Sequence, residues 1–227
     1  MSTSITLSIN EMFETIQGEG AHTGIPSIFV RLQGCPVGCP WCDTKHTWTL
    51  DDALVTTAQA VIAKNEESEH YFNVNENELL ALFEAQGYVA KHVVITGGEP
   101  CMYDLIPLTE LLHNRGYTTQ IETSGTFEVR CDPRTYVTVS PKINMKGGME
   151  VLVSALERAN EIKHPIAMQK HIDELDILLE KVSSLDGKQV CLQPISQQAR
   201  ATELAVKTCI SRNWRLSLQT HKYIGIE

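Results

Sequence analysis

Strand-like and helix-like stretches alternate six or seven times along this chain, and no other feature constrains its fold as strongly. Apolar, β-rich runs at 26–33, 92–96, 118–122, 136–139, 161–166, 189–192 and 215–218 predict strands, the first of the chain being 26–33. Helical spacing of apolar residues predicts helices at 76–85, 104–115, 149–159, 171–184 and 199–212. Asp104 reads as the N-cap of the second of these, with Pro107 in its first turn and Gly116 as its stop. Alternation of this kind gives parallel strands joined by helical crossovers, an α/β architecture. No repeat and no Pro/Ser/Gly-rich linker interrupts it, so one domain over residues 1–227 is expected. Residues 49–75 break the rhythm. They are polar and read as an irregular insertion with a short helix at 55–64.

The polar and glycine-bearing motifs fall just after the predicted strands, at 33–44, 96–100, 122–125, 140–142, 193–194 and 219–222. In a parallel β/α barrel those strand ends share one face, and that face carries the active site. Convergence of six such motifs on one rim predicts a single composite site.

The densest motif is Cys35-Pro-Val-Gly-Cys39-Pro-Trp-Cys42-Asp-Thr44, a C-x3-C-x2-C spacing. Three thiolates on a four-iron cluster leave one iron open to a substrate or cofactor, whereas a closed cluster takes four. Pro36, Gly38 and Pro40 disfavour regular helix, so the backbone can wrap a cuboid. The alternative is zinc, with His46 as fourth ligand. Asp43 and Thr44 add hard oxygen atoms that suit Mg2+, or they simply make a turn.

Composition narrows the partners. Seven cysteines, three of them packed as a ligand set, fit a reducing compartment. Cys101, Cys131, Cys191 and Cys209 read as structural thiols. The net charge of -9 argues against gripping nucleic acid by its phosphates, and favours a small-molecule substrate. No apolar run is long enough to span a membrane, and residues 1–10 carry no signal-peptide pattern, so a cytoplasmic protein is expected.

Several single residues have two readings. Arg31, inside the apolar run 26–33, is either paired in the core or points into a pocket, where a guanidinium suits a carboxylate. Glycines 97 and 98 let backbone approach a ligand. Glu122 at a strand end either accepts two ribose hydroxyls or makes a rim salt bridge. Ser140 and Lys142 are equally ambiguous, and Trp41 either packs on a base or covers the cluster. A lone histidine such as His221 is more often structural.

The spacing of Cys35, Cys39 and Cys42, with Trp41 before the last thiol, resembles the cluster loop of the radical S-adenosylmethionine (radical SAM) superfamily. Further motifs make the resemblance narrower. Ile16-Gln17-Gly18-Glu19-Gly20, Arg31-Leu32-Gln33-Gly34-Cys35, Cys42-Asp43-Thr44, Thr96-Gly97-Gly98-Glu99-Pro100, Ile121-Glu122-Thr123-Ser124-Gly125, Ser140-Pro141-Lys142 and Gln219-Thr220-His221-Lys222-Tyr223 together resemble the 7-carboxy-7-deazaguanine synthases. The resemblance runs over nearly the whole chain.

It implies an incomplete, TIM-like parallel barrel and a homodimer. It implies conversion of 6-carboxy-5,6,7,8-tetrahydropterin to 7-carboxy-7-deazaguanine, with ring contraction and loss of ammonia, in queuosine biosynthesis. The implied cofactors are a 4Fe-4S cluster on Cys35, Cys39 and Cys42, S-adenosylmethionine, and Mg2+ on Thr44. Ile16, Gln17, Gly18, Glu19, Arg31, Thr96 and His221 are implied to contact substrate. Trp41, Gly98, Glu122, Ser140, Pro141, Lys142 and Gln193 are implied to contact S-adenosylmethionine. An electron donor such as flavodoxin is implied as partner. Whether the carboxylate of Glu227 reaches the site is left open, and the segment 49–75 is longer than the shortest relatives need. The rivals are a glycyl-radical enzyme activase and a zinc-binding interaction module.

Overall fold

The computed structural model describes residues 6–195 and 198–226. Among the described residues nine strands form one sheet. They are β1 (Leu7–Ile16), β2 (Pro26–Leu32), β3 (Phe72–Val74), β4 (His92–Gly97), β5 (Thr118–Thr123), β6 (Tyr136–Val139), β7 (Glu161–Ile166), β8 (Gln189–Pro194) and β9 (Arg215–Leu216). Their spatial order is β3-β1-β2-β4-β5-β6-β7-β8-β9. From β2 through β9 every pairing is parallel, while β1 runs antiparallel to both β2 and β3. β3 and β9 are the two edges, so the sheet is an incomplete barrel.

The central strands are apolar on both faces, as buried parallel strands must be: Val93, Val94 and Ile95 of β4 are fully buried. Helices α1 (Ala58–Ile62), α2 (Glu76–Ala85), α3 (Ile106–Asn114), α4 (Val153–Arg158), α5 (Gln169–Leu179), α6 (Ala199–Arg212) and α7 (Thr220–Ile224) occupy the connections. Asn75 and Glu78 form a capping box at the start of α2. One apolar cluster joins β1, β2 and β4 to α2 and α3; a second joins β6–β8 to α5 and α6.

The structure corrects the sequence reading in four places. Strand β1 precedes 26–33, which is therefore the second strand. Asn10, Glu11 and Glu14 break its alternation, but pairing on both sides fixes it, and buried Asn10 donates to Gln33 Oε1 at 2.8 Å. The segment 49–75 is not irregular. It carries α1 and β3, and β3 pairs with β1 in the register Leu7↔Val74. α3 starts at Ile106 with Leu105 as N-cap, and Asp104 accepts instead from the Ile106 amide at 3.1 Å. α4 is shorter than expected because Leu152 and Ala159 are extended, and α5 begins at Gln169 and stops at Leu179, where a turn takes over.

The gap between the sheet edges is crossed by the loop after β1. Thr220 N donates to Gly18 O at 2.9 Å, Gly20 N to Ser217 Oγ at 3.0 Å, and Ala21 N to Glu161 Oε2 at 2.8 Å. Residues 17–22 thus tie the antiparallel edge to β7 and to the segment after β9.

Candidate active site

The C-terminal ends of the parallel strands surround a cavity of about 410 Å³. Every expected site residue lines it except Pro141, which is buried behind Ser140 and Lys142. A wider hollow of about 720 Å³ lies at the opposite ends of the same strands, near Pro26, His92 and Thr118. Of the expected residues only Ile16 reaches it, and it gathers no thiols.

The cysteine loop is held by backbone. Gly34 N donates to Thr47 O at 2.7 Å, Cys35 N to Trp48 O at 3.1 Å, and Gly147 N to Val37 O at 3.0 Å. A Cβ on Gly98 would lie 2.1 Å from Gly34 O, and one on Gly147 would lie 2.1 Å from Pro36 O. Glycine at 98 and 147 is therefore a condition of the loop's approach. Burial pushes the Cys35 thiol up to about 11, against a hydrogen bond from the Val37 backbone and with help from Glu99 and the other two thiols. Burial raises Cys39 as well, opposed by Lys142. Such thiols hold their protons until a metal takes the place of those protons.

The donor set distinguishes the two metals. His46 faces Glu11 at 3.4 Å and Glu67 at 3.6 Å. Among the described residues no three His, Cys, Asp or Glu side chains converge as one ion requires. Zinc draws its sulfurs to about 2.3 Å, whereas a cuboid cluster holds its thiolates on separate corners. Three soft sulfurs on one cavity wall fit the cluster, and the zinc module loses its fourth ligand. Beside them Thr44 N donates to Cys42 Sγ at 3.4 Å, and Asp43 and Thr44 present oxygen to the cavity.

Glu99 braces the glycine turn. Its buried carboxylate accepts from Thr123 Oγ1 at 2.6 Å, Ser124 N at 2.8 Å and Cys101 N at 2.9 Å, and also from Ser124 Oγ. It locks the end of β4 to the end of β5. Ser140 N donates to Thr123 O at 2.8 Å, and Lys142 Nζ to Ser140 Oγ at 2.7 Å, which extends the rim to β6.

Arg31 satisfies both of its readings. It lines the cavity, lies over the Phe13 ring, and pairs through Nε with Glu11. Thr96 is its register partner on β4, on the same face. Across the cavity, Gly18 packs so tightly on His221 that a Cβ would lie 2.4 Å from Nδ1. Burial lowers the His221 pKa, leaving the ring neutral at pH 7 despite Glu19. Gln17 Oε1 accepts from Glu19 N at 3.0 Å, and Gln193 Oε1 accepts from Ser217 Oγ at 2.9 Å. Trp41 stands 53% exposed at the mouth.

Sequence reasoning missed the polar centre. Lys163 of β7 donates to Glu19 Oε2 at 2.7 Å and to Glu122 Oε1 at 3.0 Å. Gln219 bonds the other oxygen of Glu19 at 2.9 Å, and Gln120 bonds Glu122 at 2.9 Å. Burial would raise the Glu19 carboxyl, but Lys163 and Gln219 hold it down at about 2. Burial pushes Glu122 up to about 7, opposed by Lys163 and reinforced by Glu19 and Glu161. The available signal was the alternation of Glu161 and Lys163 in a strand buried on both faces. Glu227 lies outside the described residues.

Comparison with known proteins agrees with this geometry. Residues 29–133 match the Radical SAM superfamily. The 7-carboxy-7-deazaguanine synthase of Escherichia coli (strain K12) is 58% identical over 218 residues, covering 96% of this chain and 98% of that protein. The enzyme of the same name from Buchnera aphidicola subsp. Schizaphis graminum is 45% identical with the same coverage. The crystal structure of QueE from Escherichia coli superposes with a TM-score of 0.93 at 57% identity, covering 95% of each chain. The glycyl-radical activase alternative gives way to this. With its cysteine loop and strand-end motifs gathered round one cavity, and with relatives this similar along nearly their full length, the chain belongs to the 7-carboxy-7-deazaguanine synthase family of radical SAM enzymes.

Proposed function

We propose that this chain converts 6-carboxy-5,6,7,8-tetrahydropterin to 7-carboxy-7-deazaguanine, releasing ammonia. The observation that carries the reading is the cavity itself. The residues implied for cluster, cofactor and substrate come from most of the parallel strand ends and from the loop after β1, yet they line one space of about 410 Å³. A volume of that order lies in the range of small-molecule binding sites.

Cys35, Cys39 and Cys42 would hold a 4Fe-4S cluster. Gly98, Glu122, Ser140, Lys142, Gln193 and Trp41 would hold S-adenosylmethionine, with Pro141 setting the backbone between Ser140 and Lys142. Bound together, these groups would supply the radical chemistry. The protein's contribution is placement and exclusion of water. Arg31 is already tied to Glu11 through Nε, so its two Nη groups are the ones free to grip the pterin carboxylate as a fork. Thr96, beside it on β4, offers a hydroxyl on the same side. Gln17, Glu19 and neutral His221 face them and would read the pterin's N–H and carbonyl groups, with Ile16 and Gly18 supplying backbone. Thr44 would give Mg2+ its one protein hydroxyl, the remaining positions going to water and substrate. A homodimer, a flavodoxin-type electron donor and a cytoplasmic location complete the reading.

The test is anaerobic reconstitution with iron and sulfide. S-adenosylmethionine, dithionite, Mg2+ and the tetrahydropterin are then added, and product is read by mass spectrometry. Product that disappears in Cys39→Ala supports the reading. 5′-Deoxyadenosine without 7-carboxy-7-deazaguanine sinks the substrate assignment.

A further inference from the structure

Lys163 belongs to no motif, and the resemblance gives it no role. Strand alternation turns Glu161 and Lys163 of β7 into the barrel, while Ile162 and His164 face the helix layer. The Lys163 side chain is 5% exposed. Its ammonium lies 2.7 Å from Glu19 and 3.0 Å from Glu122. Among the described residues it is the only lysine paired with two carboxylates. Those two carboxylates arrive from different parts of the chain. Glu19 sits on the loop after β1 and Glu122 near the end of β5. On the functional reading above, they also serve different ligands: Glu19 the pterin, Glu122 the ribose of S-adenosylmethionine.

Among the described residues, neither carboxylate has another lysine or arginine within ion-pair distance. Their remaining partners are the neutral amides Gln219 and Gln120. Without the ammonium, two like charges would face each other in a buried space, and breaking such a pair from one side is strongly unfavourable. Each would turn away or take up a proton. Both geometries therefore depend on one side chain that is itself held from both sides.

We propose that Lys163 is a positioning residue that fixes Glu19 for the substrate and Glu122 for S-adenosylmethionine at once, so that the two ligand sites share one anchor. This rests on the functional reading above. A lysine that only stabilised the fold would change the melting temperature and the active fraction, and would leave both Michaelis constants alone.

The test compares wild type, Lys163→Met and Lys163→Arg as reconstituted enzymes. The KM for S-adenosylmethionine is read from 5′-deoxyadenosine, the KM for the tetrahydropterin from product, and Tm is measured alongside. Loss of a charge-assisted hydrogen bond to each carboxylate predicts that Lys163→Met raises both KM values by about tenfold or more. Lys163→Arg keeps the charge in a bulkier fork and is expected to fall between wild type and Met in both constants. A shift in one KM only, or a lowered Tm with both KM values intact, overturns the proposal. Should Lys163→Met not fold, Lys163→Arg decides: both KM values raised supports the shared anchor, and both unchanged overturns it. A wild-type enzyme that cleaves S-adenosylmethionine but makes no product overturns the functional reading itself. A wild-type enzyme that makes product while the variants shift a single constant overturns the shared anchor alone.

Discussion

Gly18 and His221 touch across the seam of the open barrel: a Cβ on residue 18 would lie 2.4 Å from the His221 imidazole Nδ1. The contact joins the loop after β1 to α7, which Thr220 also ties back to Gly18 O through its amide at 2.9 Å and its hydroxyl at 2.8 Å. The histidine is aimed by the absence of a side chain opposite it. Gly18→Ala forces the ring aside, and on the proposed function, in which His221 contacts the pterin, displacement of that contact by about an ångström costs roughly a hundredfold in kcat/KM. Steady-state kinetics should show this loss for the pterin, with the KM for S-adenosylmethionine little changed.

Glu99 is expected to govern stability. A glutamine there keeps the shape but points an NH2 at donors that need an acceptor. Glu99→Gln should cost about 1–3 kcal/mol, the penalty of leaving buried donors unpaired. Urea unfolding of the unreconstituted protein measures it, and an unchanged midpoint would contradict the bracing role.

For Arg31 the prediction separates charge from shape. Arg31→Lys retains a cation but loses the fork, in which Nε pairs with Glu11 and, on the proposed function, the Nη pair grips the substrate carboxylate. A drop of about tenfold or more in kcat/KM for the pterin is expected, against an unchanged KM for S-adenosylmethionine. Equal effects on both ligands would show instead that the wall around Phe13 has collapsed.

The two carboxylates on Lys163 give opposite pH signatures. Burial raises Glu122 to about 7, above its ordinary 4.5, so the stability linked to its proton is complete below pH 4.5 and is lost as pH rises through about 7. Glu19 is held at about 2, where Lys163 outweighs burial. Its contribution is present above 4.5 and lost as pH falls toward 2. Between about pH 4.5 and 7 the stability of wild type should therefore fall relative to that of Glu122→Gln, read as the difference between their melting curves, because His92, His113, His164 and His221, whose pKa values burial lowers, add stability over part of the same range in both proteins. A difference between the two curves that stays constant over that range would remove the basis for the buried carboxyl.

Much of this was legible in the sequence where a single segment contains its own signal. The bounds of α2 and α6 follow from apolar spacing within the helix, and β6 from its run of β-formers. The site motifs were legible because cluster, cofactor and substrate each demand particular residue types at the ends of strands. What stayed hidden depends on distant partners. β1 contains Asn10, Glu11 and Glu14, which look like loop residues until β2 and β3 flank them and Gln33, Arg31 and the amides of Val89 and Ala90 satisfy them. Lys163 and Glu161 look like a charged edge until the sheet curls and turns them inward. Of the two readings of Glu122, ribose contact and rim salt bridge, the folded protein shows the salt bridge, to Lys163, at a position that also lines the cavity. His46 looked like a metal ligand because it follows the thiols by four residues, but its ring turns to Glu11 instead.

The central claim is that one cavity holds the pterin against S-adenosylmethionine closely enough for hydrogen to pass between them. Substrate carrying deuterium at C6, turned over anaerobically by the reconstituted enzyme, tests this directly. The account predicts deuterium in the 5′-deoxyadenosine recovered, detected by mass spectrometry together with 7-carboxy-7-deazaguanine. Product formed with no deuterium in the 5′-deoxyadenosine would contradict it.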